Sequence, residues 1–207
     1  MTKVKSTDQE IFWQGEFGDD YIARNASNQL LAANTVFFSR VIERTGPLTS
    51  LLELGCNLGM NLKALKQIQP QCQLAGVEIN HKAATELREW GGAEVIEASI
   101  LDIELDRQFD LTFTKGVLIH INPDRLEQAY QRLYDYSKRY ILVAEYYNPA
   151  PVAIPYRGHS ERLFKRDFAG ELLDRYTDLR LLDYGFLYHR DPAFPQDDIN
   201  WFLLEKQ

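Results

Sequence analysis

The stretch from Thr49 to Leu62, TSLLELGCNLGMNL, constrains the fold of this chain more than any other. It predicts a short buried strand over Leu51–Leu54, a tight turn at Gly55 and a helix immediately afterwards. Gly55 permits a backbone conformation that side chains disfavour, and Gly59 allows the first helical turn to approach a ligand. Because a helix N-terminus presents unpaired N–H groups and a partial positive charge, this unit predicts a binding site for a carboxylate or another anion.

A second buried strand, QLAGVE, ends at Glu78, where a carboxylate can accept hydrogen bonds from both ribose hydroxyls of a nucleoside. A dinucleotide fold requires Gly-x-Gly-x-x-Gly at the first turn, but Asn57 and Met60 occupy two of those positions. What remains is Glu-x-Gly-x-x-x-Gly beginning at Glu53, which resembles motif I of the class I S-adenosylmethionine-dependent methyltransferases. An ordinary strand-to-helix turn is the alternative for this motif alone, and Glu78 favours the cofactor site.

Length and composition set the remaining bounds. A chain of 207 residues is the size of one domain. The net charge of −7 argues against nucleic acid as a partner, since that binding uses a basic surface. Two cysteines, Cys56 and Cys72, indicate neither a disulfide framework nor a metal site. Neither a signal peptide nor a bilayer-spanning run is evident, so we expect a cytoplasmic protein without a membrane partner.

The alternation of strands and helices from Thr49 to Glu145 predicts an α/β fold with a mostly parallel sheet and helices on both faces. The resemblance implies the Rossmann-like class I methyltransferase architecture: seven strands, with the final strand antiparallel. Leu179–Tyr188 and Asn200–Glu205 are the last two predicted strands. We expect a single domain, with a helical lid over 1–47, a cofactor-binding core over 48–146 and an acceptor-side region over 147–207.

Local signals refine this outline. We expect one short helix before Phe17, and a second that Asn28 caps and Gly46 ends. A proline-rich loop is predicted over Tyr146–Ser160, followed by a helix that begins near Phe164.

The resemblance to motif I also implies where the cofactor lies. Ser99 and Ile100 follow the third strand, at the place where this family holds the adenine. Tyr21 and Arg24 are the expected polar contacts from the lid, although Tyr21 could instead only pack and Arg24 lie on the surface. The predicted contacts of S-adenosylmethionine are Tyr21, Arg24, Glu53, Gly55, Asn57, Gly59, Asn61, Glu78, Ile79, Ser99, Ile100 and Lys115.

Methyl transfer to a hydroxyl or an ammonium requires a group that removes a proton. His120 is a candidate because the pKa of a histidine is near neutrality, but a role beside the cofactor is equally compatible with its position. His159, His189 and Glu145 are further candidate bases, and the sequence does not choose among them. The candidate catalytic residues are His120, Glu145, Tyr147 and His159.

The predicted acceptor site lies after the fifth strand and in the last third of the chain. Arg157, His159, Arg162, Lys165 and Arg166 form a basic cluster in an acidic chain, which suits an anionic acceptor because arginine binds carboxylates through two hydrogen bonds. A solvated loop with scattered charges is the alternative. The candidate substrate contacts are Tyr146, Asn148, Arg157, Arg166, His189 and Arg190, and no metal ligands are predicted.

Seven motifs along nearly the whole chain resemble the methylases associated with pseudaminic acid biosynthesis. They are FWQGEFGDDY, LELGCNLGMN, FTKGVLIHINP, EYYNPAP, IPYRGH, FKRDFAGE and YGFLYHRDP, which begin at residues 12, 52, 113, 145, 154, 164 and 184. The resemblance implies a cytoplasmic methyltransferase whose acceptor is a small anionic nonulosonic sugar or its precursor. Two other classes stay open: a non-catalytic methyltransferase-like module that binds cofactor or sugar, and a nicotinamide-dependent sugar oxidoreductase.

Overall fold

The computed structural model describes residues 6–22, 27–156 and 159–207, the side chains of 159–162 excepted. The helices are α1 (Asp8–Gln14), α2 (Glu16–Ile22), α3 (Asn28–Thr45), α4 (Met60–Ile68), α5 (His81–Trp90), α6 (Leu126–Asp135) and α7 (Phe168–Arg175). The strands are β1 (Ser50–Leu54), β2 (Gln73–Glu78), β3 (Glu94–Glu97), β4 (Phe109–Lys115), β5 (Ser137–Glu145), β6 (Val152–Tyr156), β7 (His159–Lys165), β8 (Leu179–Leu187) and β9 (Ile199–Lys206).

Seven strands form one sheet in the order β3-β2-β1-β4-β5-β9-β8. The pairs among β1 to β5 are parallel, whereas β9 is antiparallel to both β5 and β8. This confirms the predicted Rossmann-like fold class. The antiparallel strand lies between two others and does not form the edge of the sheet.

The central strands of the sheet are buried on both faces, as their apolar runs predict. Successive side chains of a strand point to opposite faces. Leu52 and Leu54 therefore pack on one side with residues of α6 and α7, and Leu51 packs on the other with residues of α3 and α4. This double layer holds the carboxyl ends of the strands in fixed relative positions.

The N-terminal segment contains two short helices where one was predicted. Gly15 caps α1, so Phe17 lies in α2 and not after the helix. The cap of α3 is Ser27, whose hydroxyl accepts the N–H of Leu30 at 3.1 Å, and the predicted cap Asn28 is the first helical residue. Gly46 ends this helix as predicted.

The loop prediction over Tyr146–Ser160 was wrong in part, because β6 and β7 pair as an antiparallel hairpin. Pro155 lies where the register of this hairpin shifts, and a proline is tolerated in such an irregular edge because no ladder N–H is required there. The helix predicted from Phe164 begins only at Phe168, since Phe164 pairs with Ala153 in the hairpin. In the described part of the chain, no helix combines the length and apolarity needed to cross a bilayer.

Candidate active site

A cavity of about 510 Å³ lies at the carboxyl ends of β1 to β4, beneath the N-terminal helices, and falls in the size range of small-molecule sites. Its position agrees with the general rule for ligands of open α/β sheets. The predicted site residues that line it are Tyr21, Glu53, Gly55, Asn57, Asn61, Glu78, Ile79, Ser99, Ile100, Lys115, His120 and His189.

The bend after β1 depends on left-handed backbone positions. Gly55 has φ of 79°, and a Cβ atom there would lie 2.7 Å from the side chain of Val117. Gly59, with φ of 68°, would bring a Cβ atom within 2.4 Å of Leu87. Gly59 therefore allows α4 to pack against α5, and it is not part of the cavity wall.

Glu78 is 7% exposed and ends β2 at the cavity. Its two carboxylate oxygens accept the backbone N–H groups of Asn57 at 2.6 Å and Asn80 at 2.7 Å. Burial raises the pKa of Glu78, although these N–H groups act in the opposite direction. A carboxylate has about four acceptor positions, so it can also accept hydroxyl groups of a ligand.

Glu53, at the neighbouring strand end, is a buried acid with an unused acceptor. Its Oε1 accepts the side-chain N–H of Asn61 at 2.6 Å, whereas its Oε2 and the Oδ1 of Asn61 have no partner. Burial raises the pKa of Glu53 to about 8, against the opposing effects of Asn61 and Lys115. A buried pair of unpartnered acceptors favours a cationic donor such as an ammonium.

Lys115 is the only lysine or arginine that lines the cavity within the described ranges. Burial lowers its pKa, whereas Glu53, Asp197 and Glu145 raise it, and its ammonium forms no ion pair within 4.0 Å among the described side chains. Together with Glu53 and Asn61, Lys115 provides one cationic donor group and several acceptor oxygens. This combination fits the amino and carboxylate groups of an amino acid.

The wall near β3 combines apolar and polar groups. Ile100 and Leu101 line the cavity there, next to the hydroxyl of Ser99 and the carboxyl of Glu10 from α1. Burial alone would raise the pKa of Glu10, but hydrogen bonds with Ser99 and Thr7 outweigh it, so the pKa lies below its ordinary value. A flat heterocycle with a donor group on its edge fits this wall.

The helices α1 and α2 of the predicted lid are attached to the strand ends through Asn80. Its side-chain N–H group donates to the carbonyl of Trp13 at 3.2 Å and to Asp19 at 2.9 Å. The ring centroid of Trp13 lies 5.2 Å from that of Tyr21 and 4.7 Å from that of His120. Tyr21 thus both packs in the lid and lines the cavity, while Arg24 lies outside the described residues.

The candidate catalytic residues occupy different places. His120 is 8% exposed at the cavity wall, with its ring against Trp13 and Tyr156. Tyr147 is 38% exposed and packs near Phe202, away from the cavity wall. The side chain of His159 lies outside the described atoms.

Glu145 does not line the cavity, because its carboxylate lies behind the loop that follows β4. It accepts the backbone N–H groups of Val117 and Leu118 at 3.1 Å and that of Ile119 at 3.4 Å. Burial raises the pKa of Glu145 to about 7 despite these bonds. The geometry favours a positioning role, in which Glu145 fixes the loop that carries His120.

The predicted basic cluster is not brought to the cavity by its described members. Arg166 pairs with Glu171 at 2.6 Å, and neither Arg166 nor exposed Arg190 lines the cavity. Asn148 donates to the carbonyl of Ala150 at 2.6 Å and is also outside the wall. Arg157 lies outside the described residues.

Two other residues that were predicted to bind the methyl acceptor lie closer to the cavity. His189 lines the cavity and contacts Asp198 at 2.8 Å. Tyr146 lies just behind the wall, where burial and then the carboxylate of Asp197 raise its pKa.

Sequence reasoning missed several residues of the wall, namely Glu10, Trp13, Asn34, Asn80, Gln196 and Asp197. For two of these residues, the sequence contains a pattern that indicates their position. Asn80 follows a strand end and precedes a helix, the pattern of an N-cap. Asn34 lies three and four residues before Phe37 and Phe38, so helical spacing puts it on the buried face of α3.

Comparisons with known proteins agree with this geometry. Residues 51–139 match the family model described as "Methyltransferase domain". No curated protein matches the sequence.

The solved structures of similar fold include the following three. Magnesium protoporphyrin IX methyltransferase from Synechocystis PCC 6803, with bound SAM, has a TM-score of 0.69 and 12% identity, covering 100% of both chains. The glycopeptide N-methyltransferase MtfA complexed with sinefungin has a TM-score of 0.66 and 11% identity, over 84% of this chain and 94% of that one. An S-adenosylmethionine-dependent methyltransferase from Clostridium acetobutylicum ATCC 824 has a TM-score of 0.64 and 13% identity, over 92% of this chain and 98% of that one. This chain therefore has the Rossmann-like methyltransferase fold, with a methyltransferase domain matched over residues 51–139.

Proposed function

We propose that this protein is an S-adenosylmethionine-dependent methyltransferase that acts on a small acceptor, a nonulosonic sugar of the pseudaminic type or a precursor of one. The observation that carries the enzyme class is the pair of buried carboxylates, Glu53 and Glu78, at adjacent strand ends around the bend at Gly55. One has an unpartnered acceptor for an ammonium, and the other can accept ribose hydroxyls. The matched methyltransferase domain covers both residues.

S-adenosylmethionine supplies a methyl group already activated by its sulfonium. The protein must then bind and orient the cofactor and the acceptor, and it must exclude water. Glu78 would hold the ribose, Glu53 and Asn61 the amino group, and Lys115 the carboxylate. Alignment of reacting groups is worth roughly 7–11 kcal/mol in favourable cases. The lid helices α1 and α2 cover the cavity and would keep water out.

The sugar acceptor rests on the seven motifs that resemble the pseudaminic acid methylases. Arg157, which lies outside the described residues, is the group that the sequence assigns to the carboxylate of this acceptor. The same resemblance implies a cytoplasmic enzyme. The names of the two solved structures give a glycopeptide and magnesium protoporphyrin IX as the acceptors of those proteins, so they support the cofactor and not the sugar.

The two alternative classes predict different ligands. A nicotinamide dinucleotide carries a pyrophosphate, and a wall containing Glu10, Glu53, Glu78 and Asp197 is unfavourable for it. A non-catalytic module would bind S-adenosylmethionine and sugars without turnover.

The test is incubation with methyl-labelled S-adenosylmethionine and a panel of nonulosonic acids, their amino-sugar precursors and their nucleotide-activated forms, read by mass spectrometry. We expect one class to gain a labelled methyl group with stoichiometric S-adenosylhomocysteine. The Glu78→Ala variant is the control for a contaminating enzyme. If cofactor binds and no panel member is methylated, the sugar assignment is wrong.

A further inference from the structure

A second polar group lies in the same cavity, away from the carboxylates of β1 and β2. Asn34 comes from α3, and Gln196 and Asp197 come from the loop that precedes β9. We call these three residues the β9-side cluster. Because β9 is antiparallel, its start lies at the same sheet edge as the carboxyl ends of the parallel strands.

Sheet order separates this cluster from the proposed nucleoside site. Glu78 ends β2, Lys115 ends β4, and Asp197 lies two residues before β9. Since neighbouring strands are about 4.8 Å apart, the four steps from β2 to β9 span roughly 19 Å. Gln196 and Asp197 therefore lie beyond Lys115, on the side where Tyr146 follows β5, and the hydrogen bond from Gln196 to Ala33 brings the neighbouring Asn34 to the same side.

Two members of the cluster are buried with an unused acceptor. Asn34 is 1% exposed, and its Oδ1 has no partner. Gln196 is 7% exposed and donates its Nε2 to the carbonyl of Ala33 at 3.1 Å, which leaves Oε1 without a partner. Because the Ala33 carbonyl can only accept, it fixes the orientation of the Gln196 amide.

The third member is a charged acceptor. The carboxylate of exposed Asp197 interacts with the Tyr146 hydroxyl and acts on the charge of Lys115. An unpartnered buried acceptor is destabilising unless a donor reaches it. The cluster thus presents several oxygens that require hydroxyl or amine donors.

We propose that the β9-side cluster is the acceptor subsite and that it recognises the hydroxyl or amine groups of a polyhydroxylated acceptor. This inference rests on the proposed function, because it takes the cofactor to occupy the Glu53–Glu78 side. It assigns the donor-rich edge of the acceptor to Asn34, Gln196 and Asp197, whereas sequence reasoning had assigned recognition to the basic cluster around Arg166.

The test is saturation-transfer difference NMR on the full chain saturated with S-adenosylhomocysteine. The probes are N-acetylneuraminic acid, N-acetylglucosamine, glucosamine and myo-inositol, with anisole as a flat probe that has no hydroxyl or amine donor. The variants are Asn34→Ala and Asp197→Asn. Their matched controls are Asn28→Ala, at the exposed start of the same helix, and Asp174→Asn, an exposed acid on α7. Calorimetry with S-adenosylhomocysteine is run on every variant.

We expect at least one polyhydroxylated probe to bind the wild type and both control variants. Asn34→Ala and Asp197→Asn should each lower its signal at least fivefold while the affinity for S-adenosylhomocysteine stays within twofold. If no polyhydroxylated probe binds, or anisole binds as well as the polyhydroxylated probes do, the subsite is overturned. It is also overturned if either variant loses cofactor affinity in proportion to the probe signal. Failure of the wild type to bind S-adenosylhomocysteine would instead refute the proposed function.

Discussion

The backbone N–H of Asn57 donates to Oε2 of Glu78 at 2.6 Å, so the bend after β1 and the end of β2 share a hydrogen bond. Asn57 has φ of 46°, and its side-chain Oδ1 accepts the N–H of Leu58 at 2.7 Å. Asparagine tolerates this left-handed conformation because its short polar side chain bonds locally. The bond orients Glu78 before any ligand arrives.

This relationship predicts the effect of two substitutions at one position. Asn57→Ala should lower the free energy of unfolding by about 1–2 kcal/mol, because alanine at positive φ has neither the conformational tolerance nor the side-chain bond. Asn57→Gly should be less destabilising, since glycine accepts this φ. Urea unfolding measures both. An alanine variant as stable as the wild type would show that the bend is not strained.

The raised pKa of Glu53 predicts a pH dependence of stability. Between its ordinary value of 4.5 and its folded value of about 8, the folded protein holds a proton that the unfolded chain releases. The contribution of Glu53 to stability therefore falls as pH rises through this window and is constant above it. Relative to Glu53→Gln, the wild type should lose on the order of a few kcal/mol between about pH 5 and about pH 8.

The measurement is urea unfolding of the ligand-free wild type and Glu53→Gln proteins at several pH values. The difference between them is informative because other titrating groups, Glu145 included, are present in both. Parallel curves would mean that Glu53 is ionised in the folded protein.

The Glu145→Gln variant distinguishes a positioning role of Glu145 from a role in proton transfer. A glutamine amide oxygen can still accept the N–H groups of Val117 and Leu118, which share Oε1, but its NH₂ group would then face the N–H of Ile119, which Oε2 accepts in the wild type. We therefore expect a loss of about 1–3 kcal/mol of stability. Exposed Glu86→Gln is the matched control and should be neutral. A fully stable Glu145→Gln protein that has lost turnover would instead give Glu145 a catalytic role.

The lid contacts predict that ligand binding and protection of the N-terminal helices are coupled. Asn80 links the end of β2 to Trp13 and Asp19, and Glu10 lines the cavity beside Ser99. S-adenosylhomocysteine should therefore slow amide exchange at least fivefold over α1 and α2, as measured by mass spectrometry. In the Asp19→Ala variant, S-adenosylhomocysteine should protect the amides of α1 and α2 less than in the wild type, while it still slows exchange in β1. Equal exchange with and without ligand would show that the lid takes no part in binding.

The parts of the site predicted from sequence are those with a local cause. Glu53, Gly55 and Glu78 lie in strands and turns whose apolar runs and glycines are visible over a few residues. The mostly parallel sheet followed from the alternation of strands and helices. Gln196 could not be found this way, because its contact with Ala33 joins residues 163 positions apart and its loop has no periodic pattern. The hairpin around Pro155 was missed because local proline content suggested a loop, whereas pairing of β6 with the strand that follows it, β7, decided the structure.

Calorimetric titration of S-adenosylhomocysteine into wild type and Glu78→Ala tests the central claim most directly, with NAD⁺ as a second ligand. We predict saturable binding of S-adenosylhomocysteine by the wild type, about 30-fold weaker binding by Glu78→Ala for a loss of about 2 kcal/mol, and no binding of NAD⁺. Equal affinity in the two proteins, or binding of NAD⁺ in preference to S-adenosylhomocysteine, would contradict the account.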